Sequence, residues 1–237
     1  MSLNNRIAII TGATGGLGRT VAKELAAKGA SLALFSSNKD KLSQLEIELD
    51  LPRERWLTRA IDFREQGAAQ TAVRLTNERF GRADILVHLI GGWTGGRSMV
   101  DFEITPYEQM LQQHFWTSLY LFKALVPQFV DHQWGRVIVV SSPVAARPTA
   151  KSSPYAAAKA AQEALVMSLA NEIKHTGVTA NVIRVKTIDV EYQKERNPSD
   201  KNVSWTTPEE ITQTILYLCS EDANMVNGAQ IPLYGSP

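Results

Sequence analysis

Three side chains with complementary chemistry stand in one stretch, SSPVAARPTAKSSPYAAAK: Ser142, Tyr155 and Lys159. Tyr155 and Lys159 are four residues apart, so on a helix they share a face. A phenol with a pKa of about 10 is a poor base near neutrality. A neighbouring ammonium favours the phenolate and lowers that value. Ser142 closes an apolar run and is placed to hydrogen-bond an oxygen on which charge develops. Together the three groups suit proton transfer to or from a carbonyl or an alcohol. A surface tyrosine and lysine on an alanine-rich helix would show the same spacing, so the context decides.

The context begins near the start of the chain. After the apolar run RIAII comes TGATGGLG (11–18), with Gly12, Gly16 and Gly18 around Thr14 and Leu17. Glycines turn sharply and let a pyrophosphate approach the backbone. The helix that follows presents free N–H groups and the positive end of its dipole. A strand before and a helix after make this a dinucleotide-binding signature rather than only a Gly-rich turn. A bound nicotinamide would add a second positive charge near Tyr155.

The end of the second strand normally selects the cofactor, because an acid there holds the ribose hydroxyls and repels a 2′-phosphate. Here it reads Ser36, Ser37, Asn38, Lys39, with no acid and a nearby cation. This favours NADP(H), with NAD(H) as the alternative, and Arg19 is close enough in sequence to assist. Asp62, with Phe63 after it, ends the third strand and is placed to meet the adenine amino group, or else to cap a helix.

These residues need elements to hold them. Apolar runs at 6–10, 31–35, 56–62, 84–90, 136–142, 178–185 and 229–233 predict strands. Amphipathic stretches at about 16–30, 39–49, up to Phe80, 106–130, 154–175 and 208–219 predict helices between them. Strands apolar throughout imply a sheet covered on both faces, and the alternation implies a parallel α/β sheet. No linker or repeat divides the chain, so residues 1–237 read as one domain, with 190–206 a charged loop on the substrate side.

Bulk properties narrow the class. The formal net charge is +1, which gives no support for nucleic acid or an acidic membrane as partner. No apolar run reaches membrane-span length, and the first residues lack the basic start of a signal peptide. A single cysteine, Cys219, excludes an internal disulfide. A soluble, cytoplasmic protein acting on a small molecule is expected.

Taken together, the chain resembles the short-chain dehydrogenase/reductase family over essentially its full length. TGATGGLG matches that family's TGxxxGxG loop, and Ser142, Tyr155 and Lys159 fall on its catalytic serine, tyrosine and lysine. The resemblance implies a doubly wound Rossmann-type sheet of about seven strands and hydride transfer from the nicotinamide. It further implies Tyr155 as acid or base, Lys159 on the nicotinamide ribose, and a dimer or tetramer formed through the two long central helices.

Several positions depart from the family pattern. Its NNAG tetrapeptide after the fourth strand is here His88, Leu89, Ile90 and Gly91; only the glycine is kept, and it should let the backbone pass close to the cofactor. Its catalytic asparagine aligns with His114, with Pro127 supporting the register. A histidine there can relay a proton or be a buried structural ring. Pro-Gly after the sixth strand is replaced by Val185 and Lys186, with the backbone of Ile188 still placed for the carboxamide, and the final Gly-Gly is Gly235-Ser236.

The segments GGWTGG, FWTS, VKTID and SWT resemble the dihydropteridine reductase subgroup, although Ser142 and the acid-free second strand do not. Trp93 in GGWTGG is read as a wall of the substrate pocket, against the alternative of a packing or interface tryptophan. A rival of another class, a non-catalytic dinucleotide sensor, is weakened by the joint presence of Ser142, Tyr155 and Lys159.

Overall fold

The computed structural model describes residues 2–235, so Ser236 of the terminal Gly-Ser pair lies outside the described residues. Seven strands form one sheet in the order β3-β2-β1-β4-β5-β6-β7. They are β1 Ile7–Thr11, β2 Ser31–Ser36, β3 Trp56–Ala60, β4 Ile85–His88, β5 Gly135–Ser141, β6 Val178–Arg184 and β7 Gln230–Pro232. Every neighbouring pair is parallel. The doubly wound Rossmann-type fold expected from the sequence is therefore present.

The main helices are α1 Gly16–Ala27, α2 Lys39–Leu49, α3 Ala68–Phe80, α4 Thr105–Leu111, α5 Thr117–Asp131 and α6 Ser153–Glu172, followed by the short α7 Gln193–Arg196 and α8 Pro208–Cys219. The central strands are apolar on both faces because helices cover both. One core cluster packs Val21, Leu25, Leu42, Ile211 and Ile215 against Ile10 and Val87. The other packs Ala72, Leu121, Leu125, Phe129 and Val166 against Ile9, Leu86 and Val139. Cys219 closes α8 fully buried, and burial pushes its thiol pKa up to about 12.

Two local features bear on the site. The chain order reverses between β1 and β4, and this switch point opens a crevice at the carboxyl ends of the strands. The long helix expected at 106–130 is interrupted by one π-turn, Gln112–Trp116, between α4 and α5. Such a turn inserts an extra residue and re-aims the side chains it carries; here it carries Gln113 and His114.

The segment 190–206 is more ordered than a surface loop. Asp189, buried, accepts hydrogen bonds from the backbone N–H groups of Gln193 and Lys194 and so starts α7. Ile188 bridges Thr206 in parallel, and the Thr206 hydroxyl donates to Leu233 O.

Candidate active site

The crevice has two adjoining halves that share Gly12, Gly15, Leu89, Ile90 and Gly91. One, about 350 Å³, is lined by Thr14, Ser36, Ser37, Asp62, Phe63 and Arg64. The other, about 390 Å³, is lined by Gly16, Leu17, Gly18, Trp93, His114, Tyr155, Lys159 and Ile188.

The glycine loop is shaped by sterics. Gly12 has φ +70°, and a Cβ there would lie 2.9 Å from the Leu89 carbonyl. A Cβ on Gly18 would run into Gly12 O and the Ala13 backbone. Gly15 caps α1 without a side chain, and the first turn of α1 carries no acid, so its N–H groups face the crevice beside a neutral wall. The residues present fit a dinucleotide: a side-chain-free cradle at a helix N-terminus, and a crevice with room on either side of it.

The half at the end of β2 is polar but uncharged at its base. Thr14 Oγ1 and Ser36 Oγ share a hydrogen bond of 2.7 Å, and Ser37 lines the cavity. Asn38 instead caps α2 by accepting from Lys41 N at 2.9 Å, and Lys39 begins that helix outside the cavity lining. Arg19 donates to Thr14 O at 3.2 Å and is ion-paired with Glu48, so it is committed elsewhere than its sequence position suggested. Asp62 does not cap α3. Its carboxylate pairs with Arg64 at 2.6 Å, which holds it below the usual carboxylate range. Arg64 is a cavity-lining cation that sequence reading missed; its place in the turn after β3 was the available signal.

The other half is lined by Tyr155 and Lys159, while Ser142 sits buried against Tyr155 outside the lining. Ser142 follows β5 and is buried, its Oγ 3.5 Å from Val144 N at the start of a 3₁₀ turn. Tyr155 enters from the first turn of α6, and Lys159 follows one turn later. Lys159 Nζ lies 6.0 Å from the centre of the Tyr155 ring and donates to Val140 O and Gln162 Oε1, both at 2.9 Å.

Burial lowers the Lys159 pKa to about 7, and the nearby Glu163 works against that. Burial raises the Tyr155 pKa, while its contact with the Ser142 hydroxyl pulls in the other direction. This corrects the expectation of a phenol already lowered by its lysine: in the chain alone desolvation dominates, and the phenol is held protonated.

His114 is fully buried on the π-turn and meets the Tyr155 ring edge-on, with centroids 5.6 Å apart. Its Nε2 lies 3.1 Å from Gly92 O, which only accepts, so Nε2 carries the hydrogen and Nδ1 is left as a buried acceptor with no partner among the described residues. Burial, with the Lys159 charge, lowers its pKa to about 2. Of the two readings weighed from sequence, the geometry favours the buried neutral ring.

The π-turn also explains the glycine-rich loop. Gln113 Nε2 donates to Gly91 O at 2.6 Å and His114 to the next carbonyl, so two consecutive loop carbonyls are fastened by two consecutive side chains. A Cβ on Gly92 would meet the Gln113 carboxamide at 2.9 Å. Trp93 is 64 % exposed and its indole lies against Gly95 while lining the cavity with His114 and Tyr155. It is not a core tryptophan.

His88 supplies what the missing asparagines left open. Thr117 Oγ1 donates to Gln113 O at 2.6 Å, so it accepts from His88 Nε2; His88 Nδ1 then accepts from Thr11 Oγ1 at 2.7 Å. One buried ring thus ties β1, β4 and α5 together. Burial, with the charge of Lys159, lowers its pKa to about 3.

Comparison with known proteins agrees with this fold. Residues 6–201 match the family model described as short chain dehydrogenase. An uncharacterised oxidoreductase of Staphylococcus aureus (strain MRSA252) is 26 % identical over 219 residues, covering 92 % of this chain and 93 % of that protein. The crystal structure of levodione reductase is 26 % identical with a TM-score of 0.87, covering 98 % of this chain and 97 % of the other. A short-chain type dehydrogenase/reductase from Mycobacterium ulcerans, 23 % identical, shares the fold at a TM-score of 0.89 over 98 % of this chain and 89 % of its own. The chain therefore belongs to the short chain dehydrogenase family, whose members are oxidoreductases that use nicotinamide dinucleotides.

Proposed function

We propose that this oxidoreductase is an NADP(H)-preferring reductase of a small carbonyl compound, with Tyr155 as proton donor. The observation that carries the reading is that Tyr155 and Lys159 line the same cavity as the glycine cradle, with Ser142 buried in contact with Tyr155 just behind that lining. When bound, the nicotinamide supplies the hydride. The burial that keeps the Tyr155 phenol protonated suits it to donate to the oxygen of a carbonyl being reduced. The Ser142 hydroxyl donates to the same oxygen as charge develops there. Lys159 holds a positive charge next to the phenolate left behind. Gly12, Gly16, Gly18 and Gly91 admit the cofactor backbone, and the Ile188 backbone is placed for its carboxamide. His114 serves as a neutral wall beside Tyr155, not as an acid.

The NADP(H) preference rests on the acid-free end of β2, with Ser36 and Ser37 at the cavity and Lys39 just beyond. Lateral faces of α5 and α6 are the surfaces for association into a dimer or tetramer; Trp116 and Tyr120 stack at 5.8 Å there, with Trp116 well exposed. No helix among the described residues is long and apolar enough to cross a membrane, and the cytoplasm is the proposed location.

The test is NADPH- and NADH-dependent reduction of a panel of small carbonyls. Tyr155→Phe should lower turnover by about 10²- to 10⁴-fold and leave cofactor binding intact. Normal turnover by that variant overturns the mechanism. A second reading, reduction of a quinonoid dihydropterin, is favoured by the exposed Trp93 indole on the wall of the reactive half, where a flat ring would stack. Turnover of that substrate with either cofactor decides it.

A further inference from the structure

Gln162 lies on the same face of α6 as Tyr155 and Lys159, at i+7 and i+3 from them, and is fully buried. Its Nε2 donates to Ser118 Oγ at 2.8 Å and to His114 O at 3.2 Å, and its Oε1 accepts from Lys159 Nζ at 2.9 Å. The amide orientation is fixed by its partners. Ser118 Oγ already donates to His114 O at 2.6 Å, so it offers Gln162 only lone pairs. A flipped amide would set its oxygen against a carbonyl and its N–H groups against an ammonium.

The surroundings of the ammonium are otherwise poor in countercharge. On α6 the titratable neighbours are Tyr155 and Glu163. Glu163 forms a bidentate pair with Arg184 of β6 and accepts from Gln230 of β7, so its carboxylate is bonded away from the lysine. The π-turn contributes His114 and β4 contributes His88, both held neutral. From β5 comes the carbonyl of Val140. Gln162 is thus the side-chain acceptor bonded to Nζ, and it is uncharged.

We propose, resting on the oxidoreductase reading above, that Gln162 is a positioning residue: it keeps the Lys159 ammonium charged and in place beside Tyr155, and fastens it to the π-turn that carries His114. A neutral acceptor favours the ammonium by hydrogen bonding without bringing a carboxylate that would cancel its field at the phenol. The amide donates on one side and accepts on the other, and so locked it does not pass a proton through. The arrangement matters because burial has already brought Lys159 near neutrality, where the loss of one acceptor changes its charge.

The test is a titration of Lys159 in the cofactor-free protein labelled with ¹³C-lysine, its ε-carbon resonance assigned by Lys159→Arg. Gln162→Met removes the acceptor at similar volume and should lower the Lys159 pKa by about one pH unit. Gln162→Glu replaces it with a charged acceptor and should raise the value above that of the unaltered chain. Should Gln162→Met fail to fold, the direction of the Gln162→Glu shift alone decides. An unmoved Lys159 titration overturns the proposal.

In turnover, the alkaline limb of the pH profile should follow the lysine, down in Gln162→Met and up in Gln162→Glu. A residue that only packs would lower activity equally at every pH. Shifted titrations in a chain that reduces no carbonyl would remove the reductase reading and leave the clamp standing.

Discussion

The glycine loop and the buried polar cluster around Lys159 hold their groups by opposite means. At the glycine loop the shape is made by backbone, and the cations nearby are partly exposed and tied into ion pairs, Arg19 to Glu48 and Arg64 to Asp62. In the polar cluster the shape is made by side chains, and Lys159, Gln162, His114 and His88 are buried. Water screens the first set, so its pairs are individually worth little. The second set is desolvated, so each hydrogen bond there fixes a protonation state. The glycine loop should therefore tolerate changes of charge nearby and reject changes of shape, and the buried cluster should do the reverse.

The largest expected effect that would break this contrast lies at Gly18. Gly18→Val places branched carbon against Gly12 O and should weaken cofactor binding about 10- to 100-fold, read by fluorescence titration with NADPH. Retained affinity would mean that the loop yields and that shape is not what it supplies.

Next is the acid response of the buried histidines. His88 and His114 titrate in the folded chain at about 3 and about 2, against an ordinary value of 6.5. Both folded values are depressed for a base, so the unfolded chain binds more protons as pH falls through 6.5. Stability is accordingly lost from there downward. His88→Asn should remove about 1.4 kcal/mol per pH unit from that acid slope, measured as urea stability at several pH values between about 4 and 6.5. An unchanged slope would show that His88 is not the buried neutral ring described.

A smaller change is expected for Ser37→Asp, which adds an acid at the end of β2 and should move preference toward NADH by about tenfold. The ratio of the two dissociation constants measures it, and an unaltered ratio would place the selector elsewhere, with Arg64 the first candidate. The smallest is Trp93→Ala. It should raise KM by a few-fold, about 1 kcal/mol of lost stacking, with the melting temperature unchanged because the indole is mostly exposed.

The main strands and helices were legible to within about three residues at each end, because buried parallel strands are continuous apolar runs and most are followed by an amphipathic stretch, while the short α7 inside the expected loop was not. The grouping of Ser142, Tyr155 and Lys159 was legible because all three hang on the end of β5 and the start of α6. The π-turn was not, since one extra residue in a helix leaves no mark in composition. Without it, the fastening of Gly91 and Gly92 by Gln113 and His114 could not be read. The repair at β4 was also hidden: His88 and Leu89 stand where the family has its two asparagines, while the compensating role of the His88 ring needed Thr11 and Thr117 brought to it from two other elements. Gln162 was the most legible of the missed residues. It is a polar position seven beyond Tyr155 on a face that otherwise has to be buried. Arg19 misled because its partner Glu48 lies on α2, far in sequence from the glycine loop.

Cys219 is the one thiol in the chain, and it is sealed at the end of α8 with its proton held far above neutral pH. The thiolate is the form that attacks peroxides and disulfides, and here it is neither populated nor reachable. An oxidoreductase built this way has no reactive thiol through which a peroxide or a disulfide could switch it off. Its cysteine is thereby removed from thiol–disulfide exchange with its surroundings.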